Sequence, residues 1–143
     1  MDRLLTLAWD QLAAQLAAYS TLDTKAGTLI AADAVFTGLL FGLRTPLPVW
    51  LWLAALAALG ASVTVGFVAM RVVEPNVGPE PGSFYEVHGQ LPADEMDRQL
   101  LSYLSLALRE NEGQLDRKGA WWTVGAGLLV LSVVAILVGR AVR

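Results

Sequence analysis

The stretch LDTKAGTLIAADAV, residues 22–35, sets two acids and a base, Asp23, Lys25 and Asp33, at the start of a long apolar run and inside it. Charged groups in such a place can pair with one another, bind protons or line a polar path through lipid. Asn111 and Lys118 precede a second uncharged apolar run in the same way. Bond-making chemistry is not expected of any of them. No nucleophile stands beside a base, no Gly-rich phosphate loop precedes a helix, and no carboxylate pair marks a soluble cleft. The chain has no cysteine and one histidine, which excludes disulfides, thiol chemistry and a His-rich metal site. A net charge of -3, with no basic stripe interleaved with aromatics, argues against nucleic acid as a partner. The chain therefore reads as a non-enzyme without catalytic residues, cofactor or metal.

The elements that position these groups follow from hydropathy. With 143 residues, 55% of them hydrophobic, and a mean hydropathy of +0.52, the chain is too apolar for an ordinary small soluble domain. Three apolar runs, 26–43, 49–70 and 120–138, reach the length of about 20 helical residues that a hydrocarbon core about 30 Å thick requires. Trp50, Trp52, Trp121 and Trp122 open the second and third runs, as an interfacial aromatic belt would. Residues 1–25 are too mixed, with Asp10 and Asp23, for a cleavable signal. A buried hairpin in a soluble protein is the alternative, but three such runs leave too little polar sequence to cover them. The expected fold is all-α, one domain over 1–143. It is an integral membrane bundle of three transmembrane helices, with two long helices extending into a cytoplasmic stalk.

Periodicity supports long helices. Leu5, Trp9, Leu12, Leu16, Tyr19, Asp23, Ala26, Ile30, Asp33 and Thr37 alternate steps of four and three, so one helix is expected over 2–43. Leu101, Leu104, Leu108, Asn111, Leu115, Lys118, Trp122, Gly125, Leu129 and Ser132 form a second such line, on a helix expected to start near 93–95 with Asp94 as cap and Asp97 in a negative first turn. Residues 1–25 and 94–119 would be cytoplasmic helix and 71–93 a Pro- and Gly-rich cytoplasmic loop, tethered by Phe84 and Tyr85 and carrying a solvated His88. Residues 43–48, with Pro46 and Pro48, would form a short external turn. Of the ten basic residues, Arg3, Lys25, Arg71, Arg98, Arg109, Arg117 and Lys118 lie on one side and Arg44, Arg140 and Arg143 on the other, which favours a cytoplasmic N-terminus and an external C-terminus.

Parallel packing of the two lines brings Asp23 against Lys118 as an ion pair, with Lys25 or Arg117 facing lipid headgroups. Asn111 falls at the depth of Gln15 and Leu16, where a buried amide fixes register. Asp33 costs about 2.5–3.5 kcal/mol on insertion scales and so must face the bundle or a water-filled path, with Ser62, Thr64 and Thr123 as possible partners. It is either a neutral packing residue or a pore-lining or oligomer-forming one. Gly38 and Gly42 have the GxxxG spacing that permits close helix contact.

The run LDTKAG before the first span, VEP after the second, FY in the loop and NEGQLDRKGAWW leading into the third resemble the Pycsar effector transmembrane family. The likeness covers nearly the whole chain, and the related SLATT membrane proteins share a comparable plan. The resemblance implies a bacterial antiphage effector that impairs the inner membrane when a cyclic pyrimidine nucleotide, made by a partner cyclase, triggers it. It points to Asp23, Lys25, Asn111 and Lys118 as functional positions. The expected partners are the lipid bilayer, further copies of the chain in a homo-oligomer, and a nucleotide cyclase system or separate sensor. The competing readings are a structural or scaffolding membrane protein, for example in plasmid transfer, and a small ion channel.

Overall fold

The computed structural model describes residues 2–42, 48–71 and 75–141. Among the described residues four helices follow one another: α1, Asp2–Gly42; α2, Val49–Met70; α3, Pro81–His88; and α4, Ala93–Ala141. No strand occurs among the described residues. Three of the helices, α1, α2 and α4, are long and apolar enough to cross a membrane. Ala, Leu and other straight-chain residues dominate α1 and lose little freedom in a helix, so its 41 residues run without a break. Pro48 directly precedes α2, where its fixed φ suits a helix entry. The external turn expected over 43–48 lies, apart from Pro48, outside the described residues, as does Leu43 at the end of the first expected span.

The start of α4 falls at Ala93, but Asp94 does not cap it. The Pro92 carbonyl accepts from the N–H groups of Glu95 and Met96, which puts Asp94 and Glu95 inside the first turn, where their charge complements the positive end of the helix dipole. A second correction concerns 71–93, expected to be loop throughout. Residues 81–88 form α3, with Pro81 at its start and the Glu80 carbonyl accepting from the Phe84 N–H. Eight residues are too few for a hydrophobic period to show.

The chain gathers into two compact units, Met1–Ser20 with Val73–Asp116, and Thr21–Val72 with Arg117–Arg143. In the first, Ala8, Leu12 and Leu104 form the core, flanked by Leu5, Leu16, Leu100, Leu101 and Leu108. In the second, Leu40, Ala55 and Leu59 are buried with Phe36, Trp52, Leu56, Leu129, Ala135 and Ile136 against them.

Every position of the line expected on α4 is buried or half-buried, and so is every position on α1 but Trp9, which is exposed while Ala8 takes the inner place. Helix α2 turns a line of mostly small residues inward, Ala55, Leu59, Ser62, Gly66 and Ala69. Two glycines let backbones approach within the second unit. A Cβ on Gly66 would lie 2.9 Å from Ile30 Cγ1, and one on Gly125 would lie 2.7 Å from Leu29 Cδ2. Gly38 and Gly42 are exposed, with nothing within 4 Å of where a Cβ would stand, so the GxxxG pair makes no close contact within the chain.

Candidate functional site

The second unit holds the charged residues singled out from the sequence. Lys118 Nζ lies 2.6 Å from Asp23 Oδ1, the pair that the two heptad lines bring together. The Lys118 side chain is 11% exposed and that of Asp23 46%, so water screens the acid much more than the base. Lys25 takes no part in this pair. It is exposed, and its ammonium stands 5.6 Å from the centre of the Trp122 ring, within cation–π range. Arg117 is exposed. Of the four tryptophans placed at an interface, Trp50 and Trp121 are exposed, whereas Trp52 packs edge-on to Phe41 at 5.4 Å and Trp122 is half-buried.

Asp33 is fully buried on α1. Ser62 Oγ on α2 lies 2.8 Å from Asp33 Oδ2 and 3.0 Å from the carbonyl oxygen of Gly125 on α4, so one hydroxyl touches all three long helices. Asp33 Oδ1 is buried without a hydrogen-bond partner among the described residues. Thr64 and Thr123, the other partners proposed for Asp33, are exposed and donate instead to carbonyls one turn back, Gly60 and Gly119, at 2.8 and 2.9 Å. A hydroxyl that bonds its own helix backbone is withdrawn from tertiary contact. Ser62 differs because its line faces inward and Gly125 lets α4 come close.

In the first unit Asn111 is fully buried, as its place on the α4 line requires. Its amide does not act across α1, however. It grips the segment between α2 and α3: Asn76 N–H donates to Asn111 Oδ1 at 2.8 Å, and Asn111 Nδ2 donates to the Asn76 carbonyl at 2.9 Å. Asn76 Nδ2 donates to Glu110 Oε2 at 2.8 Å, and the Gly78 N–H donates to Asn76 Oδ1 at 3.0 Å, closing an Asx turn. Gly78 has φ 87° and packs on Leu104, so this tight segment is seated on the unit's core.

The link to α1 is made by Tyr19, whose hydroxyl donates at 2.8 Å to Gln114 Oε1 and stands 3.2 Å from the Asn111 carbonyl. Burial pushes the Tyr19 phenol above its ordinary pKa. Gln15 Nε2 donates to the Leu108 carbonyl at 3.1 Å.

Sequence reasoning passed over Asn76. The N-x-G triplet at 76–78, with Pro79 behind it, carried the signal of an Asx turn. Phe84 does tether α3, edge-on to Tyr103 at 5.8 Å, but Tyr85 is exposed. His88 is half-buried rather than solvated, with its ring 4.8 Å from Phe84 and 6.0 Å from Tyr103. No acidic, His or Cys cluster able to hold a metal occurs among the described residues.

Comparison with known proteins finds no match among family models, curated proteins or solved structures.

Proposed function

We propose that the chain is a bacterial inner-membrane effector that impairs membrane integrity when triggered, as its resemblance to the Pycsar effector transmembrane family implies. Helices α1, α2 and α4 cross the bilayer through residues 26–43, 49–70 and 120–138, with the N-terminus cytoplasmic, the C-terminus external, and several copies associating. A nucleotide cyclase or a separate sensor supplies the trigger. The observation that supports this reading most is a fully buried acid and two fully buried serines, Asp33, Ser62 and Ser132, in helices otherwise apolar enough for lipid. Polar groups are costly there and persist where they serve a second state. In that state the Asp23–Lys118 contact opens, the helices part and the Asp33 face meets water.

The test is expression in bacteria carrying a potential-sensitive dye, with and without a cyclic pyrimidine nucleotide. Triggered depolarisation and growth arrest are expected from the wild type, with a changed response in Asp33→Ala and Lys118→Ala. Benign expression without depolarisation under either condition rejects the effector reading and favours a scaffold. Steady ion flux without any trigger favours a channel.

A further inference from the structure

The contacts of Ser62 fix the hydrogens around Asp33. A hydroxyl owns one hydrogen, and Ser62 Oγ faces two oxygens, Asp33 Oδ2 at 2.8 Å and the Gly125 carbonyl at 3.0 Å. An ionised carboxylate only accepts, as does the carbonyl. With Asp33 ionised, one of the two contacts would press oxygen lone pairs together inside an apolar bundle. With Asp33 protonated, both are hydrogen bonds: Oδ2–H donates to Ser62 Oγ, and Ser62 Oγ–H donates to the Gly125 carbonyl.

Two further observations agree. Asp33 Oδ1, buried without a partner among the described residues, is then the carbonyl oxygen of a neutral acid and not half of a buried charge. Among the described residues no counter-charge faces it either. Residues 49–70 of α2 and 119–139 of α4 contain no titratable side chain, and the acid and bases nearest along the helices, Asp23, Lys25 and Lys118, are about two turns or more away.

We propose that Asp33 is a proton-binding site, occupied in this packing, and that its proton pins α1 through Ser62 of α2 to Gly125 of α4. Loss of that proton to water leaves one hydrogen for two acceptors. Either the α1–α2 or the α2–α4 bond must break, so proton release and helix separation are coupled. This holds whether or not the chain is an effector, because it depends on the packing of one unit alone.

Infrared spectroscopy of the full chain in phosphatidylcholine vesicles at neutral pH tests it, with isotope-labelled aspartate side-chain carboxyls. A carboxylic-acid C=O band that moves with the label is expected. It should vanish in Asp33→Asn, remain in Asp23→Asn and rise in frequency in Ser62→Ala. Absence of the band from the wild type, or its survival in Asp33→Asn, overturns the proposal. Bleaching of the band by sodium chloride at constant pH does so too, because it would identify a sodium site. The wild-type spectrum decides even if a variant fails to fold. Asparagine at 33 can donate to Ser62 as the acid does, so Asp33→Asn should keep a melting midpoint near the wild type while Asp33→Ala loses several degrees. Equal losses in both also overturn the proposal.

Discussion

Asn111 holds Asn76 by both of its backbone polar groups, accepting from the N–H at 2.8 Å and donating to the carbonyl at 2.9 Å. Asn111→Leu keeps the volume and removes both bonds, leaving two backbone groups unmatched at the edge of a core. The expected cost is about 2–3 kcal/mol. Hydrogen exchange should show the loss first at residues 76–78, before α1 or the rest of α4 is affected.

Gly78 supplies the positive φ that the same segment needs. Gly78→Ala forces a Cβ into the left-handed region and to 3.3 Å from Leu104 Cδ2. A loss of about 1–2 kcal/mol is expected in denaturant titrations. Gly113→Ala, with nothing within 4 Å and a helical backbone, serves as the control and should gain a few tenths or more.

Gly125 and Gly127 provide a second matched pair. A methyl at 125 would meet Leu29 Cδ2 at 2.7 Å and Val65 Cγ1 at 3.3 Å, whereas a methyl at 127 meets nothing within 4 Å. Gly125→Ala should lower stability in detergent by about 1–3 kcal/mol through overpacking. Gly127→Ala should not lower it.

The Asp23–Lys118 pair invites a double-mutant cycle. Asp23→Asn and Lys118→Gln are each expected to cost about 1 kcal/mol or less, given the exposure of Asp23. The double variant should cost less than the sum, because the two groups share one contact. Raising the salt should shrink the coupling; a coupling that is absent at low salt as well would remove the pair from any account of the site.

Tyr19 makes the first unit sensitive to alkali. Its phenol is raised above the ordinary value by burial, so the folded state disfavours the phenolate. The corresponding stability is fully present below the unfolded pKa of about 10 and is lost as pH rises through the folded value. Tyr19→Phe should melt lower at neutral pH yet show a flatter alkaline limb, followed by circular dichroism.

The long helices and their inner lines were legible because a 3.5-residue period repeats over many turns in α1 and α4, enough to place Asp23 opposite Lys118. Trp9 misled because its bulk suits the period but not the space, which Ala8 fills. The inward line of α2 was hidden for the opposite reason. Its neighbours are as apolar as Ala55 and Ala69, so no contrast marks a face. Asn111 was seen as buried, but its partner lies 35 residues away in a segment whose turn chemistry, not its hydropathy, decides where it goes. Thr64 and Thr123 show that depth along the chain does not choose a partner; the direction a side chain faces does.

Helix α2 carries a lesson in which way the molecule can fail. Four of its five inward residues are Ala, Ser, Gly and Ala; apart from the Ser62 hydroxyl they have little to lose by trimming, and Gly66 has no room to gain a carbon. Damage there is one-sided: a saturation library should accept glycine at 55 and 69 more readily than any larger residue and should disfavour every side chain at Gly66, alanine included, so that away from the Ser62 hydroxyl the face behaves as a ceiling on size.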